Sequence, residues 1–231
     1  IVPWDQIPDY VKKATLASED SDFYKHRGVD FTGIIRALLK NIREVGIAQG
    51  GSTITQQLVK KALLGDERTI SRKIKEVILT IEIERRFSKD ELFWMYLNQI
   101  PYGSNAYGIE AASKTFFDKP AKNLTLNESA ILASLPKAPT YYSPYGNHLT
   151  DLIARKDHIL ERMQKLGYIT KDDHEGARGE ETTFSPGIDK ISAPHFVIMV
   201  KEYLVSKYGE EAVEQDGLRV TTTLNANLQG L

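Results

Sequence analysis

The sequence predicts an all-α domain, on three observations. Apolar residues recur at helical spacing over most of the chain, Ser or Thr stands three positions ahead of Glu or Gln at several helix starts, and only one short segment alternates like a strand.

Taken in order, Asp9 to Ser18 reads as a first helix, with Val11, Ala14 and Ala17 at helical spacing. A second follows Asp30, where Phe31, Ile34, Ile35, Leu38, Leu39 and Ile42 form an apolar stripe. The segment from Glu44 to Thr55 is glycine-rich and aperiodic, and reads as a mobile loop. Thr53 and Gln56 have capping-box spacing and open a short helix through Leu63. A long helix runs from about Thr69 to Phe87, with Ile70, Ile74, Val77, Ile78 and Ile81 expected on its buried side. Ser88 with Glu91 opens a helix to Gln99, and Thr125 with Glu128 opens one to Leu135 that Pro136 stops. Leu152–Leu166 ends at Gly167, and Pro194–Lys207 ends near Gly209. Gly217 to Leu224 alternates and is expected as a short extended tail.

Composition narrows the function. The 231 residues carry 30 Lys+Arg against 31 Asp+Glu, a net charge of −1, which argues against a nucleic-acid partner. Cysteine is absent, which excludes a disulfide framework and a thiolate nucleophile. The longest uncharged run, Leu92 to Ile109, is broken by Asn98, Gln99, Pro101 and Gly103, so it does not read as a spanning helix. With no initiator Met and no signal peptide, the chain reads as an excised piece whose anchor lies elsewhere.

Two constellations could carry chemistry. Glu19, Asp20 and Asp22 crowd the end of the first helix, where negative charge opposes the macrodipole. They are either a solvated turn or a carboxylate held as a catalytic acid or base. Asp20-Ser21-Asp22 also spells D-x-D, but a helix precedes it rather than a strand, so a metal-diphosphate motif is rejected. Lys73, Glu76 and Thr80 share one stripe of the long helix, among Lys60, Lys61, Arg68, Arg72 and Lys75. This is either a surface ion pair or a cationic cradle for a phosphate-bearing substrate. Gly50 to Gln57 sets two glycines before a Ser/Thr-led helix start, a weak anion-site signal. The five histidines lack metal-ligand spacing.

In sequence order these segments resemble the family 51 peptidoglycan glycosyltransferases. Glu19-Asp20-x-x-Phe23-x-x-His26-x-Gly28-x-Asp30 is similar to the first family motif, Gly51 to Leu58 to the second, and Arg72-Lys73-x-x-Glu76 to the third. Tyr96-Leu97-Asn98 with Gly103 and Gly108-Ile109 resembles the fourth, and Leu126 through Leu132-Ala133, Pro136 and Pro139 the fifth. Asp22, Lys61 and Trp94 depart from the common pattern at positions not presumed catalytic. The tail from Gly217 resembles the linker of class A penicillin-binding proteins, and Lys-Thr-Gly is absent, so peptide cross-linking is not expected of this chain.

The resemblance implies a lysozyme-like, bilobal helical domain over residues 1–217. A small flexible membrane-facing jaw would span roughly 38–72, and a linker would start at 218. It implies polymerisation of lipid II with inversion and release of undecaprenyl pyrophosphate. Glu19 is then the base and Glu76 the second essential carboxylate. Asp20, Ser52, Gln57, Lys60, Arg68, Lys73 and Asn98 are the expected diphosphate and sugar ligands. No cofactor and no dedicated metal cage are expected, although the resemblance leaves room for a divalent cation, Mg or Mn, on the substrate diphosphate. Expected partners are lipid II, the growing lipid-linked glycan, moenomycin-type inhibitors and the bacterial membrane surface. Leu39, Val45 and Ile47 would dip into that membrane. The implied location is the periplasmic or extracytoplasmic face of the inner membrane. A lysozyme-like or lytic glycan-cleaving enzyme and a non-catalytic lipid II-binding scaffold are the rivals; the cation cluster argues against the first and the paired glutamates against the second.

Overall fold

A computed structural model describes residues 1–30, 51–64, 69–186, 194–209, 213 and 220–224. The chain divides into two compact units, Ile1–Ser185 and Pro186–Leu231. The expected helix over residues 31–42, about half of the expected jaw, with Leu39, Val45 and Ile47, and the expected linker start lie outside the described residues, as does Arg68.

Within the first unit the described elements are almost all helical. They are α1 (Asp9–Glu19), α2 (Ile54–Val59) running into a π turn (Lys60–Leu64), α3 (Ile70–Arg86), α4 (Lys89–Gln99), a hairpin of β1 (Pro101–Gly103) and β2 (Ala106–Tyr107), α5 (Ile109–Phe117), α6 (Leu126–Ser134), α7 (Leu149–Lys165) and α8 (Lys171–Gly179). The second unit holds α9 (Pro194–Tyr208), after which Gly209 turns at φ +85°. Residues 220–224 join no described ladder, so the expected extended tail forms no strand there.

Local chemistry starts these helices where the pattern predicts. Thr53–Gln56, Ser88–Glu91 and Thr125–Glu128 all close as reciprocal capping boxes, and Thr170–Asp173 adds a fourth at α8. Ser104 and Asn105 take positive φ and close the two-residue hairpin, an element absent from the helical reading.

Helix α1 is the hub. Val11 and Leu16 join a cluster with Phe23, Ile54, Phe93, Tyr96 and Leu97, while Ala14 and Ala17 join a second with Ala130, Ala133, Ile159 and Met163. Alanines on that second side let α6 and α7 approach closely. A helix buried on both sides has little freedom, so the residues at its C-terminus are held firmly. Gly28 meets α3 tightly: at φ +85°, an added Cβ would lie 2.7 Å from Thr80 Cγ2.

Helix α3 corrects the sequence expectation. Four of its isoleucines do not face the core: Ile70, Ile74, Ile78 and Ile81 are exposed by 82%, 56%, 60% and 46%, and only Ile83, nearer the end, packs against it. Glu76 and Thr80 are buried instead. Periodicity locates an apolar stripe but does not say that protein, rather than another apolar medium, must cover it.

Candidate active site

Glu19 closes α1, where the chain turns out of the helix at Asp20. Gln57 of α2 donates its side-chain amide to Glu19 Oε2 at 2.9 Å, and the neighbouring Ser18 hydroxyl donates to Oε1 at 3.0 Å. Gln57 is fixed in turn, because the hydroxyl of buried Tyr96 donates to its carbonyl oxygen at 3.2 Å. Arg155 of α7 brings Nη2 to 3.7 Å from Glu19 Oε1. Burial, and then the charge of Glu19, push the hydroxyl pKa values of Tyr96 and Tyr102 above the ordinary tyrosine value. The carboxylate therefore has an apolar wall behind it and neutral donors at both oxygens, and stays partly open to solvent, with 11% of its side chain exposed.

Asp20 and Asn98 each hold structural hydrogen bonds. Asp20 is buried; its carboxylate pairs with His26 Nε2 at 3.0 Å and accepts the Ile54 amide at 3.1 Å, joining α1 to the start of α2. Asn98 accepts the Val2 amide at 2.7 Å and donates to the carbonyls of Val2 and Trp94. Its side chain pins the beginning of the chain to α4.

The second carboxylate has the opposite surroundings. Glu76 is 2% exposed, and Arg72 Nη1 lies 2.6 Å from one oxygen while the Lys73 ammonium bonds the other. Lys73 also donates to the Ser52 hydroxyl at 3.3 Å and remains 46% exposed. Two cations over one buried carboxylate leave a net positive charge that Lys73 presents outward. Lys60 lies in the π turn that extends α2. Ser52 precedes α2 and Gln57 lies on it, so both clusters attach to one short element. Of the expected residues, the structure thus gathers Glu19 with Gln57, and Glu76 with Lys73 and Ser52.

Sequence reading missed Ser18, Tyr96 and Arg155 at this site. A signal existed for Arg155: it lies three residues after Leu152 and four before Ile159, beside the buried stripe of α7, where a charge is out of place. A different tetrad misleads by its letters. Ser134-Leu135-Pro136-Lys137 spells Ser-x-x-Lys, but Ser134 is fully buried and its hydroxyl donates to the Ala130 carbonyl, so it is a helix residue and not a nucleophile.

A deprotonating carboxylate and a cation cradle suit group transfer to a hydroxyl with an anionic leaving group. Comparison with known proteins agrees. The transglycosylase family signature matches residues 1–164. The chain belongs to that family, as a peptidoglycan glycosyltransferase domain of the class A penicillin-binding protein type. It is similar to penicillin-binding protein 1A of Aquifex aeolicus, at 44% identity over 97% of this chain and 31% of that protein. It is similar also to penicillin-binding protein 1A of Escherichia coli, at 44% identity over 99% of this chain and 27% of that protein. A crystal structure of penicillin-binding protein 1A from Haemophilus influenzae, 28% identical, covers 69% of this chain and 20% of that one with a TM-score of 0.43. The chain thus spans less than a third of the length of these two sequence relatives.

Proposed function

We propose that this chain polymerises lipid II into β-1,4-linked glycan, with Glu19 as general base and the Arg72–Lys73–Glu76 cluster at the leaving diphosphate. The contrast between the two carboxylates carries the reading: Glu19 takes its hydrogen bonds from neutral donors, with one guanidinium 3.7 Å away, and Glu76 is buried beneath two cations that bond it directly. Glu19 takes the proton from the acceptor sugar's 4-hydroxyl, and that oxygen bonds to C1 of the donor sugar. The bond from C1 to the diphosphate oxygen breaks with its electron pair, and undecaprenyl pyrophosphate departs. One displacement inverts the configuration and leaves no sugar on the enzyme. Lys73, aided by Arg72, neutralises the charge that grows on the leaving oxygens.

A divalent cation does not fit the protein side of this cradle. The donors there are nitrogen cations, and both Glu76 oxygens are already engaged, whereas Mg²⁺ or Mn²⁺ would need free oxygen ligands. Among the described residues no group of His, Asp and Glu is placed to hold a metal.

The substrate is lipid-linked, so the domain works at a membrane surface, for which we infer the extracytoplasmic face of the bacterial inner membrane. No described helix is long and apolar enough to cross a membrane. The exposed isoleucines of α3 offer a face that can rest on one. Moenomycin-type phosphoglycolipids, with a lipid-linked phosphate, should compete for the same cradle. The deciding experiment supplies labelled lipid II and, separately, polymerised glycan. Growth of glycan from lipid II supports the proposal. Cleavage of glycan with lipid II untouched makes the chain a hydrolase, and binding without turnover makes it a scaffold.

A further inference from the structure

Arg155 has no place in the chemistry above, yet this α7 side chain reaches the general base, with Nη2 at 3.7 Å from Glu19 Oε1. Its Nε donates to the carbonyl of Ser134, the last residue of α6, at 3.1 Å. Its Nη2 donates to the hydroxyl of Ser18, in the last turn of α1, at 3.1 Å. The plane of the guanidinium lies 5.5 Å from the Tyr142 ring centroid, and only 15% of the side chain is exposed. The C-terminal ends of two helices, both negative, therefore converge on one guanidinium. Glu19 sits at one of those ends, where the helix field disfavours its ionised form.

We propose that Arg155 is a positioning residue for the base, orienting the Glu19 carboxylate through Ser18 and setting a positive charge where two negative helix ends meet. This rests on the assignment of Glu19 as base. The relay is short: guanidinium to Ser18 Oγ, then Ser18 hydroxyl to Glu19 Oε1 at 3.0 Å. With Gln57 holding Oε2, the carboxylate is fixed from two sides, and its remaining lone pairs are left for the acceptor hydroxyl.

The other groups around Glu19 do not replace Arg155. Asp20 adjoins it and is paired with His26; Gln57 is neutral; Tyr96 and Tyr102 are buried phenols. Lys137 and Arg162 feel both Glu19 and Arg155. Burial first, and then the charge of Arg155, lower both of their pKa values, while Glu19 raises them. His158, also on α7, is held below its usual value by burial and by Arg162.

The test is steady-state lipid II polymerisation across pH for the parent, Arg155→Ala, Arg155→Lys and Ser18→Ala, after circular dichroism. The readout is the acid limb of the kcat/KM profile, which a merely structural role for Arg155 would leave in place. Arg155→Ala should move the acid limb upward by about one pH unit, the low end for a nearby opposite charge, and lower kcat/KM about tenfold below the new midpoint. Arg155→Lys, which keeps the charge, should recover most of the limb position. Ser18→Ala should move it the same way by less, and His158→Gln should leave it in place. A folded Arg155→Ala with the parental limb, or an Arg155→Lys no better than Ala, overturns the proposal. If Arg155→Ala does not fold, a parental profile for Ser18→Ala overturns it. A parent that leaves lipid II untouched removes the proposed function itself; an active parent with an unmoved limb removes only this inference.

Discussion

Gln57 donates its side-chain amide to Glu19, so a residue expected at the diphosphate is tied directly to the proposed base. Its carbonyl end accepts from buried Tyr96, which makes Gln57 a bridge between α4 and the end of α1. Gln57→Leu leaves a buried phenol without an acceptor and Glu19 Oε2 without its donor. Thermal or urea unfolding should show a loss of about 1–3 kcal/mol. Polymerisation should fall further than that loss explains. A variant with parental turnover would confine Gln57 to a structural role.

Glu19→Gln keeps the size of the side chain and removes the base. Turnover should drop by roughly 10²–10⁴, with the circular dichroism spectrum unchanged. Lipid II binding, measured without turnover, should persist. Near-parental polymerisation by the folded variant would take Glu19 out of the reaction.

Lys73→Ala tests the cradle with the fold preserved, because Arg72 still pairs with buried Glu76. Turnover should fall about 10²–10³, by analogy with removing one oxyanion donor. Moenomycin should bind this variant more weakly. Glu76→Gln leaves two cations without their carboxylate and should lower both activity and melting temperature. Activity within a few-fold of the parent in Lys73→Ala would return Lys73 to a surface ion pair.

The exposed side of α3 gives a membrane test with little structural cost. Ile74→Ser with Ile78→Ser should weaken liposome co-sedimentation. Stability should change by no more than about 0.5 kcal/mol per site, as for exposed positions generally. Equal liposome binding by parent and double variant would remove α3 from the membrane contact.

What was legible in the sequence was local. Thr53–Gln56, Ser88–Glu91 and Thr125–Glu128 each write a helix start within four residues, and each closes as its spacing predicts. Gly167 ends α7 because φ of +72° suits glycine. What was not legible depends on distant partners. The stripe on α3 was visible, but its facing is decided by Gly28 and Thr80 meeting across it. Asp20 and Asn98 carry polar groups suited to ligands, yet the Ile54 amide and the Val2 backbone claim them first. Glu19 and Glu76 stood out as candidates because ordered motifs surround them; Arg155 lies 137 positions from the serine it bonds.

That separation bears on how the enzyme comes into being. A chain made from its N-terminus presents the α1 carboxylate early, while the guanidinium that meets its neighbouring serine emerges long afterwards. A chain ending just beyond Pro139 would already carry all five sequence motifs, yet α1 would lack one of the two helices packed along it. Motifs alone therefore do not make the folded domain: its first helix is completed only by a segment that follows the last of them.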